Sequence, residues 1–203
     1  MIGIIDYKAG NAPSVLNACK KLHINAHLVS TPGQVEGCQG IILPGVGSAQ
    51  ATMDSLRESG LIDVMKEKVL DRGTPFLGIC IGLQVLFEHS EEDDAECLGW
   101  LHGEVKRFPD TEVRVPQIGW NEVKFVSEHP VLSGLNESEY FYFVNSYYVV
   151  PNDKEVILAK TNYGLEFCSM IAHRNIIAAQ FHLEKSGATG LRLLKNFALR
   201  VGN

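Results

Sequence analysis

In the first half of the chain, short apolar runs alternate with stretches where apolar residues recur every three or four positions. Ile2 to Tyr7 is a continuous apolar run that ends in polar residues, as expected of a central parallel strand buried on both faces. Asn11 is placed to cap the next helix, Pro13 suits its first turn, and Val15, Leu16, Cys19 and Leu22 mark its apolar face. Ala26 to Val29 and Gly40 to Leu43 read as further strands. The second ends in the loop Pro44-Gly45-Val46-Gly47, and Ser48 is placed to cap a helix behind it. Another helix is predicted from Leu61 to about Leu70. Phe76 to Ile79 is then a strand, and Leu83, Leu86 and Phe87 resume helical spacing straight after it. Cys80 therefore falls at a strand-to-helix junction.

After about Leu98 strand-like segments follow one another without long helices between them. They are Glu104 to Phe108, Asn121 to Phe125, Tyr140 to Val150, Glu155 to Lys160, Phe167 to Ala172 and Ile176 to Gln180, with several separated by Pro109, Pro116, Pro130 or Pro151. A last helix, Ala188 to Val201, closes the chain. Alternating strands and helices imply parallel order and right-handed crossovers. The expected fold is therefore α/β, a doubly wound, mostly parallel sheet with antiparallel additions in the C-terminal half. No repeat, low-complexity tract or linker divides the sequence, so residues 1–203 read as a single domain.

With 203 residues, 45% of them hydrophobic, the chain can bury a sizeable core. A net charge of -6 argues against nucleic acid or an anionic membrane as partner, since both call for basic surface. The N-terminus lacks the pattern of a secretory signal, and no apolar run approaches the roughly 20 residues that span a bilayer, so a soluble, cytoplasmic protein is expected. The five cysteines are an odd number without a CxxC pair, which favours reduced thiols. His23, His27, His89, His102, His129 and His173 show no ligand spacing, so neither a metal nor a cofactor is expected. The acidic run from Glu91 to Asp94 reads as a solvated loop.

The candidate chemistry starts at Cys80. A nucleophile on a sharp strand-to-helix turn needs small residues two places before and after it, and Gly78 and Gly82 supply them. A thiolate there would sit at a helix N-terminus, whose partial positive charge lowers a cysteine pKa from about 8.5. A lone cysteine in an apolar stretch is more often a core residue. These glycines reverse that for Cys80, whereas Cys19, Cys38, Cys97 and Cys168 keep it. A nucleophilic cysteine also needs a base, and the base an orienting acceptor. His182 and Glu184 offer both: in an extended stretch they project to one side while Leu183 faces away. Gln84 lies one helical turn past Cys80 and can point into the same pocket. Gly45 and Gly47 could bring a backbone N–H to a reacting carbonyl, completing an oxyanion hole with the N–H of Ile81.

Gly78-Ile79-Cys80-Ile81-Gly82-Leu83-Gln84, the stretch from Leu86 to Glu92, and Gln180-Phe181-His182-Leu183-Glu184-Lys185-Ser186 together resemble the class I glutamine amidotransferases. Asp6-Tyr7 with Gly10-Asn11, the 44–47 loop, Gly119-Trp120-Asn121 and Phe143-Val144-Asn145-Ser146-Tyr147 extend the resemblance from end to end. It implies a flavodoxin-like sheet and a triad in which Cys80 attacks the side-chain amide of glutamine, aided by His182 and Glu184. It further implies that Gln84 and Glu92 hold the substrate's α-amino group and Ser146 and Tyr147 its α-carboxylate. The pattern is most similar to members that release ammonia into a tunnel leading to a separate (β/α)8 cyclase subunit, with which they form a heterodimer. There the ammonia helps form imidazole glycerol phosphate and an aminoimidazole carboxamide ribotide in histidine biosynthesis. Asn11, Trp120 and Lys185 match positions at that subunit interface.

Three residues depart from the family pattern: Leu183 stands where proline is usual, Asn145 where histidine is, and Lys8 where glycine is. Leu183 frees a φ angle that proline fixes, so a looser His182 is expected. The departures also leave open a paralogue whose ammonia goes to another synthase, such as one amidating a sugar for surface polysaccharide. A reading of a different class is a cysteine sensor or regulatory module on the same fold.

Overall fold

The structure is a computed structural model that describes residues 1–8, 11–111 and 113–202. Gly10, part of the motif above, lies outside the described residues. The N-terminal half gives β1 (Ile2–Ile5), α1 (Ala12–Lys21), β2 (Ala26–Val29), α2 (Pro32–Glu36), β3 (Gly40–Leu43), α3 (Ala49–Glu58), α4 (Leu61–Lys66), β4 (Phe76–Ile79) and α5 (Ile81–Gln84). Short strands β5 (His89–Ser90) and β6 (Ala95–Glu96) lead to β7 (Gly103–Arg107), β8 (Gln117–Phe125), β9 (Ser138–Asn145) and β10 (Tyr147–Pro151). β11 (Ile157–Tyr163), β12 (Leu165–His173), β13 (Ile176–Ala179) and α6 (Gly187–Arg200) complete the chain.

Strands β2, β1, β3, β4 and β13 lie side by side in that order, all parallel. The crossovers reverse between β1 and β3, so the carboxyl ends of these strands border the crevice where open α/β sheets bind ligands. Both faces of β1, β3, β4 and β13 are covered, which is why these strands read as unbroken apolar runs, whereas the edge strand β2 exposes His27. Ile2, Ile4, Ile42, Leu77 and Ile79 pack towards α1 and α6, where Val15, Leu194 and Phe197 meet them. Ile5, Ile41, Leu43 and Phe76 pack on the other side, against Met53 and Leu56 of α3 and Leu61 and Met65 of α4. β12, β10 and β7 then extend the sheet in antiparallel order, while β11 leads off β12 to β8 and β9.

Besides the short strands β5 and β6, four elements differ from the sequence expectation. The strand expected from Tyr140 to Val150 breaks at Ser146, because β9 pairs with β8 whereas β10 pairs with β7. β8 starts at Gln117, four residues before the expected strand, and passes through Gly119 at φ 135°. α2 was not expected; Pro32 opens it, and the Gln34 side chain accepts from the Thr31 N–H. The helix after Cys80 is a single turn. The carbonyls of Val85, Leu86 and Phe87 accept instead from the N–H groups of Leu98, Leu101 and Gly99, so the helical ladder cannot continue. α4 runs on through a wider π-type turn, Glu67–Asp71. Among the described residues no helix is long and apolar enough to cross a membrane.

The site hangs from one aromatic stack. Phe181, fully buried beside His182, lies 4.0 Å from Phe141 between ring centroids and 5.7 Å from Phe143. Phe181→Ala should cost about 3–5 kcal/mol of stability, measured by urea unfolding; a loss below about 1 kcal/mol would show that the stack is dispensable.

Candidate active site

Cys80 sits on a strained elbow, with φ 57° and ψ -108°. A non-glycine residue in this region costs of order 1–3 kcal/mol and is kept only where its surroundings enforce it. Here they do. A Cβ on Gly82 would lie 1.9 Å from the carbonyl oxygen of Leu43, and one on Gly78 would lie 2.4 Å from that of Gly82. The Cys80 N–H donates to the Ala179 carbonyl at 2.8 Å and ties the elbow to β13. Because α5 has one turn, it sums too few peptide dipoles to supply the helix field expected from the sequence. Side chains set the surroundings of the sulfur instead.

Where β13 ends, the chain delivers His182. Its N–H donates to the Tyr142 carbonyl at 2.9 Å, and its ring Nδ1 lies 2.8 Å from Glu184 Oε1. Leu183–Lys185 forms a 3₁₀ turn, so the extended geometry expected for this segment is corrected, although His182 and Glu184 do meet. Leu183 is buried in the core, and His182 is anchored at both backbone and ring. The side-chain cap expected from Asn11 on α1 does not form; Asn11 donates instead to Glu184 Oε1, the same oxygen that meets His182. Both side chains of the His182–Glu184 pair are 1% exposed. Burial alone would push the His182 pKa down, but hydrogen bonds to Cys80 and Glu184 and their charges outweigh it and raise it to about 9.

A cavity of about 260 Å³ opens over Cys80. Val46, Gly47 and Ile81 line one side, and Val144, Asn145, Ser146 and Tyr147 line the other, with Gln84, Glu92, His182 and Lys185 around them. Gly45 is not on this wall. It lies beneath, where a Cβ would fall 1.9 Å from the Ile81 side chain and 2.2 Å from the Tyr7 hydroxyl, so the glycine permits close packing while Val46 and Gly47 face the cavity. Gln84 Nε2 donates to the Tyr147 carbonyl at 3.2 Å and to Gln180 Oε1 at 3.0 Å. Glu92 is not a freely solvated acid. Half-buried, it accepts from the Ala49 N–H at 2.9 Å, and burial raises its pKa. Asn145 donates to the Tyr147 carbonyl at 2.9 Å, leaving its Oδ1 buried without a partner.

Of the three residues expected at a partner interface, Lys185 reaches the cavity rim and Trp120 is 55% exposed, edge-on to Tyr142. Asn11 is part-buried against Glu184. Sequence reasoning missed Gln180, which donates to Cys80 Sγ at 3.6 Å, and the wall residues Pro116 and Val144. The available signal was the position of Gln180 at the end of the strand that delivers His182. Among the described residues the cysteines are unpaired, and no cluster of three or more His, Cys, Asp or Glu could hold a metal.

Residues 3–201 match the family described as glutamine amidotransferase class-I. The chain belongs to the class I glutamine amidotransferases. It is 48% identical, over 97% of its length and 96% of the relative's, to the imidazole glycerol phosphate synthase subunit HisH of Dehalococcoides mccartyi strain CBDB1. It is 45% identical, over 97% and 98%, to the imidazole glycerol phosphate synthase subunit HisH 2 of Pseudomonas aeruginosa. Among solved structures, one titled as a glutamine amidotransferase superposes with a TM-score of 0.76 at 23% identity, covering 100% of this chain and 99% of that one. The likeness bears out the α/β, mostly parallel fold of this amidotransferase.

Since the folded pKa of His182 lies above its unfolded value of 6.5, the stabilisation is fully present below pH 6.5 and is lost as pH rises through about 9. Glu184→Gln removes one of the groups that hold the proton. The stability advantage of the parent over this variant should therefore shrink as the pH rises from 6.5 through about 9, as measured by urea unfolding; an advantage that stays constant or grows would contradict the assignment.

Proposed function

We propose that the chain is the glutaminase subunit of an imidazole glycerol phosphate synthase and acts as one amidotransferase domain. Relatives named as imidazole glycerol phosphate synthase subunit HisH match it nearly end to end. The observation that carries the chemistry is Cys80 on its elbow, lining one cavity with a His182 that Glu184 orients. The sulfur attacks the side-chain carbonyl of glutamine. His182 takes the thiol proton and returns it to the departing nitrogen, so ammonia leaves and a γ-glutamyl thioester remains on Cys80. His182 then activates water, which cleaves the thioester to glutamate and restores the thiol.

Backbone N–H groups at Ile81, the first residue of α5, and in the Val46–Gly47 loop are the donors for the oxyanion. Both Nε2 protons of Gln84 are engaged elsewhere, so its Oε1 is the atom left to accept from the substrate's α-ammonium, with Glu92 supplying the charge. Ser146 and Tyr147, at the break between β9 and β10, face the α-carboxylate.

The cavity wall continues into a docking face. In the β8–β9 ladder Ile118 stands opposite Val144, Trp120 opposite Tyr142 and Glu122 opposite Tyr140, so these residues share one side of the sheet. Ile118, Trp120 and Tyr140 are 61%, 55% and 59% exposed, an apolar cluster of the kind that marks a protein interface. Val144 belongs to both this face and the cavity. The cyclase subunit sits on it and receives the ammonia, with Lys185 at the rim and Asn11 behind Glu184.

With the cyclase subunit present, Cys80→Ala should abolish synthesis from glutamine and leave synthesis from added ammonia intact. Loss of both would overturn the ammonia-donor role. Turnover with a different synthase, and none with the cyclase, would redirect the product to a paralogous pathway.

A further inference from the structure

We propose that Gln180 is a further catalytic residue, whose side-chain N–H donates to the Cys80 sulfur and steadies it as the attacking thiolate. The inference rests on the glutaminase reading for the identity of the nucleophile's target, but not for the contact itself. Gln180 is fully buried, and its Nε2 lies 3.6 Å from Cys80 Sγ.

An amide can face a sulfur with either its nitrogen or its oxygen, and neighbouring groups decide which. The Tyr147 carbonyl can only accept. It takes bonds from Gln84 Nε2 at 3.2 Å and from Asn145 Nδ2 at 2.9 Å, which turns the nitrogen of Gln84 inward. That nitrogen also donates to Gln180 Oε1 at 3.0 Å, so Gln180 must present its oxygen to Gln84 and its nitrogen to Cys80. One backbone carbonyl thus sets the direction of a relay from Tyr147 through Gln84 and Gln180 to the sulfur.

Direction matters because the sulfur changes character during the reaction. As a thiol it lies 3.9 Å from the Val144 carbonyl, which can only accept from S–H and offers nothing to a thiolate. Once His182 has taken the proton, the Gln180 N–H becomes a charge-assisted donor to the anion in a water-poor site. The pocket is thereby linked to the nucleophile: Tyr147, proposed at the substrate carboxylate, begins the relay, and Gln84, proposed at the α-ammonium, is its middle member. A glutamine that shifts either of them acts on the sulfur through hydrogen bonds already in place.

The test reads the sulfur without glutamine, so its failure is separate from failure of the glutaminase reading. Alkylation of Cys80 by iodoacetamide is followed across pH by mass spectrometry of the peptide that carries it. Gln180→Met keeps the length and removes the donor; Gln180→Glu keeps an oxygen for Gln84 but turns another towards the sulfur. Both should move the alkylation midpoint to higher pH, Glu further than Met, and slow alkylation at neutral pH by about tenfold or more, the loss expected for one hydrogen bond to a charged group. A role in packing alone would lower thermal stability and leave the midpoint where it is. A folded Gln180→Met or Gln180→Glu protein with the parent's profile overturns the proposal. Should neither fold, Gln84→Met decides: it leaves Gln180 in place but frees its amide to turn, and an unchanged profile there also overturns it.

Discussion

The candidate active site depends on a backbone conformation that the chain would not adopt unaided. Cys80 is held at positive φ because Gly82 lets the elbow come against the carbonyl of Leu43, Gly78 lets Gly82 come against β4, and Ala179 accepts the Cys80 N–H. Three strands of the parallel sheet therefore clamp one residue. The clamp turns the side chain out of the strand, towards the end of the sheet where the loop after β3 and the segment after β13 converge. A substitution that adds one methyl group at either glycine displaces backbone rather than a flexible side chain, so the site's tolerance is set by main-chain contacts.

Around this fixed sulfur, buried polar groups are ordered by what each can accept or donate. Glu184 Oε1 takes both Asn11 and His182, so the imidazole is aimed by an acid that is itself aimed. On the opposite side the Tyr147 carbonyl orients Gln84, and Gln84 orients Gln180. Burial makes these bonds consequential, since an unmade hydrogen bond there has no water to replace it. The opposing effects at His182 show the balance: desolvation disfavours its charge, and its two partners together more than offset that penalty.

Much of this was legible in the sequence, for a physical reason. Glycine requirements, apolar runs and helix spacing are local, and Gly78-Ile79-Cys80-Ile81-Gly82 announces the elbow by itself. His182 and Glu184 come from a thiol nucleophile's need for an oriented base, and Gln84 from its place one helical turn past Cys80. What was hidden depends on contacts between distant segments. The strand break at Ser146 exists because β9 and β10 have different partners, and the single turn of α5 ends because distant N–H groups take its neighbours' carbonyls. Asn11 reads as a helix cap until the fold brings Glu184 to it across the sheet end. Lys8, which departs from the family's glycine, nonetheless keeps a left-handed backbone at φ 68°. Gln180 shows in the sequence only its place at the end of a strand, because the side chains that orient it, Gln84 and Cys80, lie 96 and 100 residues away.

The central claim, that the elbow thiol forms a covalent intermediate with glutamine, is open to direct observation. The chain would be mixed with glutamine and the cyclase subunit, quenched in acid within the first turnovers, and digested for mass spectrometry. A γ-glutamyl group on the peptide carrying Cys80, formed and lost at rates compatible with ammonia release, is the predicted result. Steady ammonia release with Cys80 unmodified, or an adduct on another cysteine, would contradict the account.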